Sequence, residues 1–330
     1  MATLGTLINL FNLNQLTDPK GGIIGMIYSM AELMDILQDI PFIPSNERMS
    51  HKFVRSTKLA DGTWVKLNNG ISASKGSMKT FNRPVGMLES RMTIDNRFMD
   101  IESDFAAFVE RMAYPHYEGL AQDIADAFTN GTISGGNQFS SIEAHITDAS
   151  QTDEFGQSMF HDYAGTGSDL SSILAVDWGQ DKVYAIYPNG HKFAGVEREE
   201  HPNELISGVN SSSLFAYVAD FKWYTSLVVA DDRCIRRAGN IDSAGTSTNL
   251  LDSTYETDIL VDMLASMYNL GRNADLYMNR TIWAQFWKVT KDKTNVQYNP
   301  GNPWKQPEYR FGNNRIRFSD SLLNTETAVT

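Results

Sequence analysis

The chain has 330 residues and carries 40 Asp and Glu against 28 Lys and Arg, a formal net charge of −12. That surplus of carboxylates argues against a protein whose main task is gripping nucleic acid, which needs clustered Lys and Arg on the contact face. Hydrophobic content of 42 % and charged content of 21 % sit near globular averages, and the length calls for two subdomains or one domain with long excursions.

In chain order, Leu4, Leu7, Ile8 and Phe11 stand at helical spacing and read as an amphipathic arm, ended by Asp18-Pro19-Lys20-Gly21-Gly22. The arm lacks a basic n-region and a small-residue cleavage site, and no apolar run is long enough to span a membrane, so synthesis in the cytosol is expected. Ser29 and Glu32 form a capping box for a helix bearing Met30, Leu33, Met34 and Leu37, closed by Pro41 and Pro44.

From Glu47 to Met92 the character changes. Short β-type runs (His51 to Ser56, Thr63 to Leu67, Lys79 to Phe81) are joined by Asp61-Gly62 and Asn68-Asn69-Gly70, which predicts a long hairpin without a hydrophobic face of its own. A helix follows, with Ile101, Phe105, Phe108, Val109 and Met112 on one stripe and Asp100, Glu102, Asp104 and Glu110 mostly off it. Pro115 should kink it, and beyond the kink Tyr117, Leu120, Ala121, Ile124 and Phe128 continue the stripe to Asn130-Gly131. Unbroken, it would be a rod of roughly 50 Å at about 1.5 Å per residue.

Residues 131–167 read as irregular surface rich in Gly, Ser, Thr and Asp. Strands are predicted at Ile173 to Trp178, Lys182 to Tyr187, Leu214 to Trp223 and Ser226 to Ile235. A second capping box, Ser253 with Glu256, opens a helix whose Ile259, Leu260, Met263, Leu264 and Met267 face inward and which Gly271 ends. A helix at Thr281 to Val289 and a strand at Arg315 to Phe318 complete an α+β body.

Motifs that carry chemistry do not accumulate. Gly165-Thr-Gly167 lacks the third glycine of a dinucleotide loop, and Lys75 precedes a glycine where a phosphate cradle needs the reverse order. His191, Glu197, Glu199, Glu200 and His201 contain no HExxH and read as a solvated acidic loop. Carboxylate neighbours such as Asp231-Asp232, Asp177 with Asp181, and Glu102 with Asp104 are routine among 40 acids, and His161 has no nucleophile elbow nearby. Cys234, the single cysteine, forms no intrachain disulfide and reads as a buried thiol in a reducing compartment. Three glycosylation tripeptides are chance matches without a secretory route. No catalytic, cofactor or metal residue is therefore expected.

Charge is unevenly placed. Between Ser45 and Arg97 there are 10 basic and 4 acidic residues, a net of +6; between Phe98 and Ala175 there are 1 basic and 13 acidic, a net of −12. A basic segment beside an acidic one makes a surface attractive to a copy of itself.

Several phrases carry a family likeness: Gly62-Thr-Trp-Val-Lys-Leu-Asn-Asn-Gly70 with Ile71-Ser-Ala-Ser-Lys75, Gly86-Met-Leu-Glu89 leading to Asp95, and Ala175-Val-Asp-Trp-Gly179 through Ile186-Tyr-Pro-Asn-Gly190. Phe221-Lys-Trp223, Arg236-Arg-Ala-Gly-Asn-Ile-Asp242 and Asn324-Thr-Glu-Thr327 add to them. In this order they resemble the major capsid proteins of tailed bacteriophages, closest in type to those of short-tailed, podovirus-like phages.

The resemblance implies an N-terminal arm (1–46), an extended E-loop hairpin (47–92), a P-domain (93–168) with a spine helix over 97–130, an A-domain (169–313) and a C-terminal strand returning to the P-domain (314–330). It implies self-assembly as hexamers and pentamers into an icosahedral virion shell around double-stranded DNA, without sequence-specific DNA contacts and without a membrane. Assembly in the host bacterial cytoplasm, procapsid maturation, a scaffolding protein and a portal belong to the same expectation, which leaves room for a cement protein. Subunit contacts are expected at Trp64, Lys66, Lys75, Lys79 and Met87 on the hairpin and at Glu102, Asp104 and Glu110 on the helix. Relatives that cross-link through Lys and Asn find no matched acceptor signature here. Two other classes stay open: an encapsulin-like compartment and a carboxylate-dependent carbohydrate-active enzyme.

Overall fold

The computed structural model describes residues 35–101, 104–130, 138–190, 194–207, 213–244, 248–251, 258–292 and 310–330. The amphipathic arm, both predicted capping boxes and Glu102 lie outside these residues. In chain order the elements begin with α1 (Ile36–Asp39), β1 (Phe42–Pro44), β2 (Ser50–Lys58), β3 (Ser77–Pro84) and β4 (Gly86–Asp95). Next come α2 (Phe98–Ile101), α3 (Phe105–Thr129), α4 (Ile142–His145), β5 (Phe160–Asp162), β6 (Leu170–Val176) and β7 (Val183–Tyr187). The chain continues with β8 (Glu197–Ser207), β9 (Ser213–Val229), β10 (Ile235–Asp242), α5 (Asp258–Ser266), β11 (Asp275–Met278), α6 (Arg280–Asp292), β12 (Arg310–Phe311) and β13 (Asn314–Phe318).

Two compact units divide the described chain: 87–124 with 195–224, and 35–86 with 125–194 and 225–330. In the first unit, β4 and β8 both pair with β9. The α3 stripe covers one face of this sheet, so that Phe108, Val109, Ala113 and Leu120 meet Met92, Ile94, Tyr217, Ala219 and Phe221 in one core. His116 stacks on Phe221 with 5.1 Å between ring centroids, and its Nδ1 lies 2.7 Å from Ser90 Oγ. Burial lowers the His116 pKa, so a neutral ring sits against the phenyl face.

The second unit is built on a six-stranded sheet in the order β12-β13-β11-β6-β10-β5. Every residue of β6 is buried, the pattern of a central strand covered on both faces. The core joins Ile173 and Ala175 of β6 and Ala238 of β10 to Leu260 and Met263 of α5 and Ile282 and Phe286 of α6. Each fully buried aliphatic side chain contributes about 1.5–3 kcal/mol, which is why the helical stripes are dense in Leu, Met and Ile. In the same unit β1 pairs parallel with β7, and β7 antiparallel with Ser226 to Val229 of β9.

Pro115 sits exposed inside α3, which continues as helix from Phe105 to Thr129 on both sides of it. Several sequence expectations change here. Ile101, placed on the core stripe by spacing, is exposed at the end of α2. Glu197, Glu199, Glu200 and His201, read as an acidic loop, lie in the strand β8, where Glu197 stands opposite Lys222 and Glu199 opposite Asp220, a like charge that Lys222 offsets. Lys222 Nζ reaches Glu199 Oε2 at 2.5 Å, so a sequence without hydrophobic alternation is held by cross-strand pairs. The two strands expected on either side of Tyr224 are one, because buried Thr225 donates to Ile186 O at 3.1 Å and keeps the backbone extended. The chain expected as one hairpin from Glu47 to Met92 forms its ribbon only as far as Pro84; Met87 to Met92 belong to β4.

Candidate assembly surface

The ribbon of β2 and β3 runs in antiparallel register from Ser50 opposite Pro84 to Ser56 opposite Met78. Alternation gives it one half-buried face, His51, Phe53, Arg55 and Thr57 with Phe81 and Arg83, and one exposed face with Lys52, Val54, Ser56 and Lys58. Phe53 and Phe81 stack at 5.5 Å, with the Arg55 guanidinium 4.8 Å and Lys79 Nζ 5.2 Å from the Phe81 centroid. The hairpin thus has an aromatic seam that composition did not reveal.

Its half-buried face is clamped. Arg55 Nε donates to Ala230 O at 3.0 Å, Nη2 to Val229 O at 2.7 Å, and Nη1 to the Asp232 carboxylate. Burial alone would raise Asp232, but the hydrogen bond and charge of His145, at 2.9 Å, and those of Arg55 hold its pKa below the usual range. His51 Nδ1 accepts from Asn46 N at 3.3 Å, which leaves Nε2–H to donate to Tyr184 Oη at 3.0 Å. Burial lowers the His51 pKa and keeps this neutral tautomer.

Beyond Lys58 the chain leaves regular structure until Ser77, so the strand expected at Thr63 to Leu67 is absent. Among the described residues no second strand lies opposite it; instead Asn69 N donates to Lys66 O at 3.1 Å and closes a turn with Asn68 at φ +68°. Trp64 is fully exposed (102 %), and Leu67, Ile71 and Met78 are nearly as bare. Lys66 and Lys75 are exposed on the same segment, and among the described residues neither they nor Lys79 meets a carboxylate. Met87 is exposed at the start of β4.

On α3, Asp100, Asp104, Glu110, Asp123 and Asp126 have exposed positions on α2 or along the helix. Asp104 Oδ1 accepts from Ala107 N at 3.1 Å, a first-turn cap. Glu110 Oε1 accepts from Arg198 Nη1 at 2.7 Å, so this acid already has a cation inside its own unit. Two other acids of the negative segment are not on the surface: Glu143 and Asp153 are buried, facing Arg237 and Arg236. The −12 segment therefore presents less negative surface than its count implies.

Of the acid pairs weighed from sequence, Asp231-Asp232 is engaged in structural hydrogen bonds. Asp231 Oδ2 accepts from Arg233 Nη2 at 2.7 Å and Asp232 holds Arg55 and His145. Cys234 is buried, its thiol pushed up to about 12 mainly by burial. A cleft of about 560 Å³ beside β2 mixes Arg55, Lys58 and Arg233 with Glu154, Asp181 and Asp231, a balanced wall without a charged specificity.

The ribbon, the long helix under a sheet and the larger α+β unit are those of the tailed-phage capsid fold, the HK97-like fold. Residues 18–330 match the family model Major capsid protein GP7, and the chain belongs to that family: it is a tailed-phage major capsid protein, a structural component of the virion. It is similar to a solved chain of bacteriophage Epsilon15, with a TM-score of 0.69 and 24 % identity over 100 % of this chain and 99 % of that one. It is also similar to the capsid of bacteriophage JBD30, with a TM-score of 0.50 and 14 % identity over 89 % and 92 %. Comparison with curated proteins gives no match. The family does not favour the compartment or carbohydrate-enzyme alternatives.

Proposed function

We propose that copies of this chain assemble as hexamers and pentamers into an icosahedral shell around double-stranded DNA, with the ribbon tip of one copy lying against the acidic helix of the next. The protein acts without catalysis, and assembly takes place in the host cytoplasm with a scaffolding protein and a portal, and with a cement protein where the shell carries one. On this reading the ribbon is the E-loop, α3 the spine helix within the 93–168 P-domain, 169–313 the A-domain, 314–330 its return, and 1–46 the arm.

The observation that carries the proposal is the tip itself. A segment bearing Trp64, Leu67 and Ile71 in solvent, with Lys66 and Lys75 meeting no carboxylate among the described residues, is costly alone and suited to cover by another copy. Exposed ion pairs are worth about 0–1 kcal/mol each, so Lys66, Lys75 and Lys79 set register against Asp104 and against Glu110, which they share with Arg198, and affinity comes from Trp64 and Met87. Multiplicity makes such contacts sufficient in a closed shell.

The triple substitution Lys66→Glu, Lys75→Glu and Lys79→Glu tests it by particle yield in electron microscopy and sedimentation. The subunit should stay folded and the yield fall; an unchanged yield refutes electrostatic docking of the tip.

A further inference from the structure

We propose that Asn69, at the ribbon tip, is a site of spontaneous deamidation whose product lowers the positive charge of the assembly surface. The chain contains three Asn-Gly pairs, at Asn69-Gly70, Asn130-Gly131 and Asn189-Gly190. The reaction requires an unhindered, unbonded backbone N–H after the asparagine and a side-chain amide free to rotate onto it. The structure supplies those conditions unequally.

At the tip both are met. Asn69 and Gly70 are exposed, and a Cβ built on Gly70 would find nothing within 4 Å. The turn's hydrogen bond is made by Asn69 N to Lys66 O, which leaves Gly70 N donating to no carbonyl among the described residues. Asn130 is the opposite case: its Nδ2 donates to Ser321 O at 2.8 Å and its N to Asp126 O at 2.9 Å at the end of α3. Asn189 shares the exposure and the open space around its glycine, and differs in that Gly190 is held at φ +108°.

Gly70 N attacks Asn69 Cγ. The new N–Cγ bond closes a five-membered succinimide as the Cγ–Nδ2 bond breaks, and ammonia leaves with the proton that Gly70 N gives up. Water then adds to one of the two ring carbonyls, the bond from that carbon to Gly70 N breaks as the nitrogen regains its proton, and Asp or isoAsp results at position 69. Neither an oxidant nor a reductant takes part. The tip from Lys58 to Gly76 carries Lys58, Lys66 and Lys75 against Asp61, three minus one, a net of +2; a carboxylate at 69 halves it to +1. Hydrolysis to isoAsp also lengthens the backbone between Trp64 and Ile71 by one methylene. The chemistry stands by itself, whereas its effect on assembly rests on the docking role proposed above.

The test ages the full-length, unassembled subunit at mildly alkaline pH and quantifies all three Asn-Gly peptides in one digest by mass spectrometry. Asn69 should convert several-fold faster than Asn130, whose amide and backbone N are both bonded. Conversion of Asn69 no faster than Asn130 overturns the proposal. Asn69→Gln keeps an amide at an exposed loop position, so the fold is retained and the peptide should stay unconverted. In assembly, aged wild type and Asn69→Asp should both give fewer particles than aged Asn69→Gln. Equal yields for all three would remove the charge effect and leave the modification site standing. If instead the triple lysine variant assembles normally while Asn69 still converts ahead of Asn130, the docking reading fails and the site does not.

Discussion

Replacing Asp153 by Ala is expected to cost the unassembled subunit about 3–5 kcal/mol, the penalty of stripping one partner from a buried ion pair. Arg236 is 0 % exposed at its side chain and Asp153 1 %, with Arg236 Nη2 2.7 Å from Asp153 Oδ2. All five guanidinium N–H groups are used: Nε donates to Ser266 Oγ, Nη1 to Asp232 O and Ile235 O, and Nη2 to Asp153 and Ser266 O. Asp153 supplies the formal charge of this cage, and its Oδ1 also accepts from Phe155 N and Gln157 N at 2.9 Å each. Burial already lowers the Arg236 pKa, and the Asp153 hydrogen bond opposes that shift. The alanine variant therefore loses the counter-ion and three hydrogen bonds together, the latter worth about 0.5–1.5 kcal/mol each. Urea unfolding followed by tryptophan fluorescence, at concentrations where the subunit stays unassembled, measures the loss. Adding Arg236→Met to Asp153→Ala should recover part of it, because the stranded cation is then gone. A loss below about 1 kcal/mol for Asp153→Ala would refute the claim that Arg236 depends on this carboxylate.

Stability should fall with rising pH where Glu143 titrates. Burial, opposed by Arg237 and reinforced by Glu326, raises its pKa to about 8. The folded chain then holds a proton that the unfolded chain releases above the ordinary glutamate range, so stability declines by up to about 1.4 kcal/mol per pH unit toward 8 and levels off beyond it. Glu143→Gln should flatten that slope in urea titrations run at a series of pH values; an unchanged slope assigns it elsewhere. Gly165→Ala should destabilise by about 1–3 kcal/mol, since its Cβ would fall 2.3 Å from Asn240 O and 2.8 Å from Leu170 Cδ2, and a wild-type melting temperature would contradict that packing. Trp64→Ala should change subunit stability by less than about 0.5 kcal/mol while reducing particle yield; a large stability loss would show that Trp64 already has a partner within the chain.

The spacing of Phe105, Phe108, Val109 and Met112 was enough to place α3 and its buried face, because a 3.6-residue period leaves little choice of which side chains face a sheet. Turn residues and composition likewise marked a basic ribbon followed by an acidic helix, and the order of phrases pointed to the capsid family before any fold was seen. The β8 strand was illegible, because its register is written in pairs such as Glu199 with Lys222, which exist only once β9 lies beside it.

Charge counting also misled, since it cannot distinguish a solvated carboxylate from one spent inside. Asp153 and Glu143 add to the negative tally but lie buried against Arg236 and Arg237. The clamp of Arg55 on Val229, Ala230 and Asp232 joins residues more than 170 positions apart, a partnership without any local signature. By itself, then, the sequence determined the main periodic elements, the basic ribbon and the family, all of which follow from local spacing and composition. The tertiary structure alone decided which charges remain free to meet another subunit, because burial and ion pairing depend on what the fold brings alongside each side chain.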